Sequence, residues 1–348
     1  MASFPKFRAR CGKTAKTISV TEIEISLQGP LVVRSPNWLG DAVMALPAVR
    51  NLKDLIEDET LAVAAPEKLA ALWQKCPFVD KVVILEQPKN LKATAATLRE
   101  GKFASAVLLP NSLRAATEVW MAGIPQRVGY ARSGRSVLLT HTVPVPARNP
   151  ARLHQRYYYL DLVSALGALE DSSLPKLRKD PTTVAGARGL VLAFCPGAEY
   201  GPAKRWPVQN FIALARHFII TRKAKILLLG APNDMPVAEE FMKHVPEADN
   251  RVGKTSLAEF MALLVTARLV ICNDSGAMHV ASAMGVPTLS IYGSTEPALT
   301  GPMGTRIRVL RHHVPCSPCF LRECPIDFSC MTGVSADAGI IAAENMLR

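Results

Sequence analysis

The feature that most constrains this chain is a strand–helix alternation that runs twice, with a break between the runs. Short apolar runs at Leu31–Ser35, Leu61–Ala64, Lys81–Leu85 and Ala104–Leu109 read as strands, and helical periodicity over Ala42–Ile56, Glu67–Trp73 and Leu91–Gly101 separates them. The stretch GALEDSSLPKLRKDPTTVAGARG (167–189) interrupts the pattern with prolines, charges and small residues, as a linker does. A second series then places strands over Gly189–Phe194, Lys225–Leu229, Leu269–Cys272, Pro287–Tyr292 and Arg306–Leu310, with helices over Phe211–Thr221 and Leu257–Ala267. Ser256 and Glu259 form a capping box ahead of the second of these helices. The pattern predicts an α/β chain with two doubly wound parallel sheets, one in 29–170 and one in 189–335. It also predicts a basic extension over 1–28, a linker over 171–188 and a C-terminal helix over 336–348.

Open α/β sheets bind ligands beyond the carboxyl ends of their strands, so the residues that follow strands are the informative ones. After the first strand comes PNWLGD (36–41). Gly40 there allows close backbone approach, and Asp41 is placed either to reach into a cleft or to cap the next helix; spacing alone favours the cap. After the first strand of the second series comes CPGAEYGPAKRWP (195–207), where Gly197 lets backbone approach a ligand and Lys204 with Arg205 supplies cations suited to phosphate. Solvated loop cations are the plain alternative. Neither GxxxxGK[ST] nor GxGxxG is present, which weakens a P-loop or a nicotinamide or flavin reading. The third segment is NDSGAMHVASAMGVPTLSIYGST (273–295), in which Asp274, Ser275 and Gly276 open a helix and His279 lies within its first turn. A helix N-terminus with free N–H groups binds anions. Three phosphate-suited loops after strands of one domain favour a ligand role for His279 over a satisfied core histidine.

Charge and cysteine usage narrow the partners. The net charge is +12, and residues 114–156 hold seven arginines against the single acid Glu118. That field attracts a phosphorylated substrate, an anionic membrane face or nucleic acid. The absence of a nucleic-acid motif and the scarcity of aromatics there rank nucleic acid lowest. No apolar run approaches the roughly 18 residues of a membrane span, and MASFPKFRARCGKTAKT lacks the apolar core of a secretory signal, so an ill-ordered basic tail is expected. Eight cysteines are too few for a disulfide scaffold and point to a reducing, cytoplasmic compartment. Four of them cluster in CSPCFLRECPIDFSC (316–330). Thiolates as close as Cys316, Cys319, Cys324 and Cys330 suit a structural zinc ion or an iron–sulfur cluster, while Pro318 and Pro325 equally suit a plain reduced loop; the spacing leaves the choice open.

The segments PNWLGD (36–41), PNSLRAATEVWMAGIPQRVGY (110–130), PGAEYGPAKRWP (196–207) and NDSGAMHVASAMGVPTLSIYGST (273–295) together resemble glycosyltransferase family nine, the ADP-heptose:lipopolysaccharide heptosyltransferases. The resemblance runs from about residue 30 to 348 and leaves the first 28 residues outside. It implies a GT-B architecture, with the acceptor at the N-terminal domain and the nucleotide-sugar at the C-terminal one. It implies Asp41 as the catalytic base, reversing the preference for a cap. It places Lys204, Asp274, Ser275, Gly276, His279 and Gly197 at the donor. Asn111, Arg127, Arg132 and Arg135, in and after the PNSLR segment, are the expected acceptor residues. The implied reaction is metal-independent, inverting transfer of heptose from ADP-heptose to the heptosyl-Kdo inner core on lipid A, at the cytoplasmic face of the inner membrane. No cofactor is required. The alternatives are transfer of the first heptose, a nucleotide-sugar 2-epimerase on a similar scaffold, and a basic nucleotide- or RNA-binding protein.

Overall fold

The computed structural model describes residues 26–179 and 189–348; most of the basic extension and residues 180–188 of the expected linker lie outside that range. The first sheet contains β1 (Leu31–Arg34), β2 (Leu61–Pro66), β3 (Lys81–Leu85), β4 (Ser105–Leu108), β5 (Gln126–Tyr130) and β6 (His141–Val143) in the order β3-β2-β1-β4-β5-β6. The second contains β7 (Val191–Cys195), β8 (Lys225–Leu228), β9 (Asp249–Asn250), β10 (Leu269–Asn273), β11 (Thr288–Tyr292) and β12 (Ile307–Arg311) in the order β12-β11-β10-β7-β8-β9. Every pairing is parallel. This is the GT-B arrangement. Helices cover both faces, which is why β1, β2, β4, β10 and β11 are buried along their whole length and read as continuous apolar runs.

In each sheet the winding reverses between two central strands, β1 and β4 in the first and β7 and β10 in the second. Asp41 follows β1, Asn111 follows β4, Lys204 follows β7 and Asp274 follows β10. Both switch points, where such sheets bind ligands, therefore carry residues singled out from the sequence.

The expected elements recur with two kinds of difference. The helix expected over 42–56 is two helices, Leu39–Met44 and Leu46–Ile56, parted at Ala45 with Pro47 in the first turn of the second. Proline has no N–H to continue the preceding ladder, so the chain restarts there. Strands β5, β6 and β9 gave no sequence signal, because QRVGY, HTV and DN are too short or too polar to show apolar alternation. The capping box forms as expected: Ser256 N–H donates to Glu259 Oε2 at 2.8 Å and Glu259 N–H to Ser256 Oγ at 3.3 Å.

Residues 171–179 lie against the first half. Leu177 is buried, Arg178 N–H donates to the Lys75 carbonyl at 2.8 Å, and Arg50 pairs with Asp171 at 2.7 Å. The helix Ala336–Leu347 packs on the second half against the helix Val208–Arg222, with Arg222 and His217 both pairing to Glu344. The largest apolar core runs through both halves, joining Leu31, Val33 and Leu46 to Met261, Met278 and Val280.

Candidate active site between the two sheets

The site begins with two helix N-termini that meet across the cleft. The helix Leu39–Met44, after β1, touches the helix Gly276–Ala283, after β10. Glycine makes the approach possible on each side. A Cβ on Gly40 would stand 2.9 Å from His279 Cδ2, and one on Gly276 would stand 3.2 Å from Leu39 Cδ2. The 276–283 helix presents free N–H groups, because Ser275 at its N-cap makes no side-chain cap. The Ser275 hydroxyl and His279 Nδ1 are buried polar atoms with no hydrogen-bond partner among the described residues. Two such atoms at one helix start mark a place made for a ligand.

Asp41 is the third residue of its helix. The cap position is Trp38, so Asp41 is not the N-cap that spacing favoured. Burial raises its pKa, and a hydrogen bond from the Tyr159 hydroxyl pulls it part of the way back. A carboxylate held above its ordinary range is a better proton acceptor at neutral pH. Tyr159 is itself buried and also hydrogen-bonded to Gln155.

Across the cleft, Lys204 Nζ lies 2.5 Å from Asp274 Oδ2, whose carboxylate also accepts from Thr295 Oγ1 at 2.5 Å. Lys204 sits over the ring of Tyr200, 4.6 Å from its centroid, and Arg322 stacks on the same ring at 5.2 Å. Asn273 ties the loops after β7 and β10 together: its Oδ1 accepts from Trp206 N–H at 3.0 Å and its Nδ2 donates to the Pro196 carbonyl at 2.7 Å. Burial lowers the pKa of His279 to about 4, so the ring is neutral at pH 7.

Asp41, Lys204, Asp274, Ser275, Gly276 and His279 line one cleft of about 400 Å³, together with Arg322 and Tyr200. A second, more apolar cavity of about 250 Å³ adjoins it and shares Leu39, Glu199, Ser275 and Gly276. Leu229, Pro232, Leu257 and Phe260 give it apolar walls, and Asp234 gives it a carboxylate raised in pKa by burial. Gly197 lines this cavity, not the larger cleft, and is glycine because a Cβ would overlap the Asp234 carboxylate.

The expected acceptor residues separate. Arg135 is fully buried and donates to the Tyr130 and Pro110 carbonyls and to Asn111 Oδ1, so it braces the turn after β5 instead of facing a substrate. Arg127 is occupied by the carbonyls of Leu138, Ile124 and Pro125. Asn111 Nδ2 donates to Tyr158 Oη at 2.8 Å. Arg132 remains exposed. A cavity of about 320 Å³ beside the cleft is lined by Arg148, Arg152, His154, Gln155 and Tyr158, with Leu299 from the other half. His154 reaches the Gly301 carbonyl at 2.9 Å and so bridges the halves. Arg152 is held by Asp161 and Glu170 at 2.5 and 2.6 Å, whereas Arg132 and Arg148 have no ion pair among the described residues.

Sequence reasoning missed Tyr159, Gln155, Tyr200 and Arg322. Tyr159 and Gln155 sit on the unread helix Gln155–Ser164, and Arg322 lies inside a segment read only for its thiols. In that segment Cys316, Cys319, Cys324 and Cys330 are all unbridged. Burial and the neighbouring sulfurs of Cys316, Cys319 and Cys324 push the Cys330 thiol up in pKa.

Two parallel sheets, each bringing a loop from its switch point to one cleft with a carboxylate on one wall and a cation and helix N-terminus on the other, define a GT-B glycosyl-transfer scaffold. The chain belongs to glycosyltransferase family 9 (heptosyltransferase), whose profile matches residues 92–328, and it is an enzyme that transfers heptose. It is 30% identical over 308 residues to lipooligosaccharide heptosyltransferase 2 of Haemophilus influenzae, covering 81% of this chain and 88% of that protein. It is 28% identical to lipopolysaccharide heptosyltransferase 2 of Escherichia coli over 81% of this chain and 87% of that protein. Among solved structures, E. coli ADP-heptose LPS heptosyltransferase II superposes with a TM-score of 0.77 at 25% identity, over 91% of this chain and 98% of that one.

Proposed function

We propose that the chain transfers heptose from ADP-heptose to the heptosyl-Kdo inner core of lipopolysaccharide, with inversion, and that Asp41 is the base. The observation that carries this is the opposition, within one cleft, of the Asp41 carboxylate to Lys204 and the open N-terminus of the 276–283 helix. The adjoining apolar cavity suits the nucleoside, which leaves the diphosphate at the shared edge by Ser275 and Gly276. Asp41 takes the proton of the acceptor hydroxyl as that oxygen bonds to the anomeric carbon. The bond to the diphosphate breaks on the opposite face, and the charge that collects on ADP is met by Lys204, Arg322 and the helix N–H groups. His279, neutral and with Nδ1 unpartnered, is placed to hydrogen-bond the sugar or phosphate.

The acceptor enters through the cavity at Arg148 and Gln155, since Gln155 hydrogen-bonds Tyr159 and Tyr159 hydrogen-bonds Asp41. Of the arginines expected to meet the acceptor, Arg132 keeps that role, and Arg148 joins it. Their guanidinium groups, without an ion pair among the described residues, suit the carboxylates and phosphates of the inner core. Among the described residues no helix is long and apolar enough to cross a membrane, and the reaction is assigned to the cytoplasmic face of the inner membrane, where the basic surface meets anionic lipid. Arg132→Ala with Arg148→Ala is expected to raise the acceptor KM about tenfold, the scale for a lost charge-assisted hydrogen bond, with the donor KM nearly unchanged. An unchanged acceptor KM removes both residues from the acceptor site. The reaction itself is tested by ADP release from ADP-heptose. Release only with heptosyl-Kdo2-lipid A, with one heptose added by mass, supports the proposal; release with Kdo2-lipid A alone moves the enzyme to the first transfer.

A further inference from the structure

The loop from His312 to Phe328 contains no helix or strand, yet the donor side of the cleft leans on it. Ala203 N–H donates to the Arg322 carbonyl at 2.9 Å, and Tyr200 Oη donates to the Phe320 carbonyl at 2.7 Å. Phe320 N–H donates to the Ser294 carbonyl at 2.8 Å, and Ser317 Oγ donates to the Gly293 carbonyl at 2.5 Å. The loop thus touches the strand-end segments at 200–204 and 293–295 and carries Arg322 to the cleft. Val314 and Phe328, at its two ends, pack against the core of the second half, but the apolar side chains between them do not anchor it: Phe320, Leu321 and Ile326 are 46%, 45% and 69% exposed. Irregular loops of this length in a compact domain need some other constraint.

We propose that Cys316, Cys319, Cys324 and Cys330 bind one zinc ion as a closed, structural four-thiolate site that fixes this loop beneath the active site. All four residues border a single cavity of about 60 Å³, too small for a sugar or nucleotide and sufficient for one ion. Ser294, Phe328, Ile326 and Pro325 share its wall, so no carboxylate or imidazole competes with the sulfurs except Asp327 at the rim. A four-thiolate donor set selects zinc over harder ions, and with all four positions filled by sulfur the site is structural. Cys324 Sγ already accepts a hydrogen bond from Phe328 N–H at 3.3 Å, the kind of outer contact that orients a ligating sulfur. Among the described residues no three His, Cys, Asp or Glu side chains already stand at coordinating positions, so zinc closes the set by turning the thiols inward around the cavity. Each sulfur loses its proton to solvent as it binds, giving a dianionic zinc tetrathiolate within a chain of net charge +12.

The test uses the full chain under reducing conditions, stripped with chelator, reloaded with zinc sulfate, desalted and measured for metal by mass spectrometry. About one zinc per chain is expected. Cobalt loading should give the sulfur-to-cobalt charge-transfer bands of a tetrahedral thiolate site. Cys324→Ser and Cys319→Ser should each lose most of the metal, whereas Cys76→Ser, buried in the first half, should keep it. Trypsin should cut the 312–328 loop faster in the stripped protein than in the reloaded one. A wild-type chain that stays metal-free after reloading, or a Cys324→Ser chain that retains full zinc with its helix content unchanged, overturns the proposal. So does disulfide pairing of these cysteines in the protein as purified.

Discussion

Asp41→Asn is expected to lower kcat by about 10³-fold, the middle of the range for loss of a positioned general base, while leaving the fold at least as stable as the parent. The second half of that expectation follows from the direction of the pKa shift. Asp41 is raised in the folded state by burial, so its ionisation is disfavoured there relative to the unfolded chain. Whatever stability it contributes is present below the unfolded carboxylate value of about 3.9 and is lost as pH rises through the higher folded value. At pH 7 the ionised carboxylate is therefore a cost that asparagine removes, and thermal melts should show Tm equal or higher for the variant, with the difference vanishing toward pH 4. A lower Tm at pH 7 would make Asp41 a structural acid. Tyr159→Phe provides the companion measurement. Its hydroxyl holds the Asp41 pKa down, so its loss should shift the acidic limb of the kcat/KM profile to higher pH. An unmoved limb would show that Asp41 is not the group that titrates.

Lys204→Met should cost about 10²–10³ in kcat, the scale for losing one oxyanion-type donor. It should also destabilise the protein by about 3–5 kcal/mol, because Asp274 is 5% exposed and is left as a buried carboxylate without its cation. These two losses can be separated. Adding Asp274→Asn removes the orphaned charge and should recover most of the stability measured by denaturant melts, yet none of the turnover. Recovery of turnover in the double variant would mean that Lys204 serves only to neutralise Asp274. A single-variant loss under about fivefold would leave Lys204 outside the chemistry.

The two sheets and their strand-end loops were legible because parallel strands buried on both faces have an unmistakable apolar run, and because small polar residues after such a run have few structural reasons to be there. NDSG and PNWLGD were read in that way. The acceptor side was less legible for a physical reason. Arginine density in 114–156 records charge, not destination, and the structure turns Arg135 and Arg127 inward onto carbonyls while Arg114 and Arg34 share the buried Glu118. Only a three-dimensional arrangement tells a guanidinium that closes a turn from one that waits for a phosphate. Tyr159 was missed because a tyrosine on a helix has the same appearance in sequence whether its hydroxyl faces water or a buried carboxylate such as Asp41. Gly197 was read as a point of ligand approach; it lines the smaller cavity, and its missing side chain also makes room for Asp234, which no sequence signal shows.

The contact of Gly40 with His279 has a consequence for how the enzyme measures distance. Asp41 belongs to one half of the molecule and the 276–283 helix to the other, and what separates them at that point is one imidazole lying against a bare backbone. In the proposed transfer, the spacing between Asp41 and the bound sugar is thus gauged by the edge of a single aromatic ring, in the manner of a feeler blade set between two machined faces. Any side chain at position 40 would have to displace that ring, because a Cβ there stands 2.9 Å from His279 Cδ2.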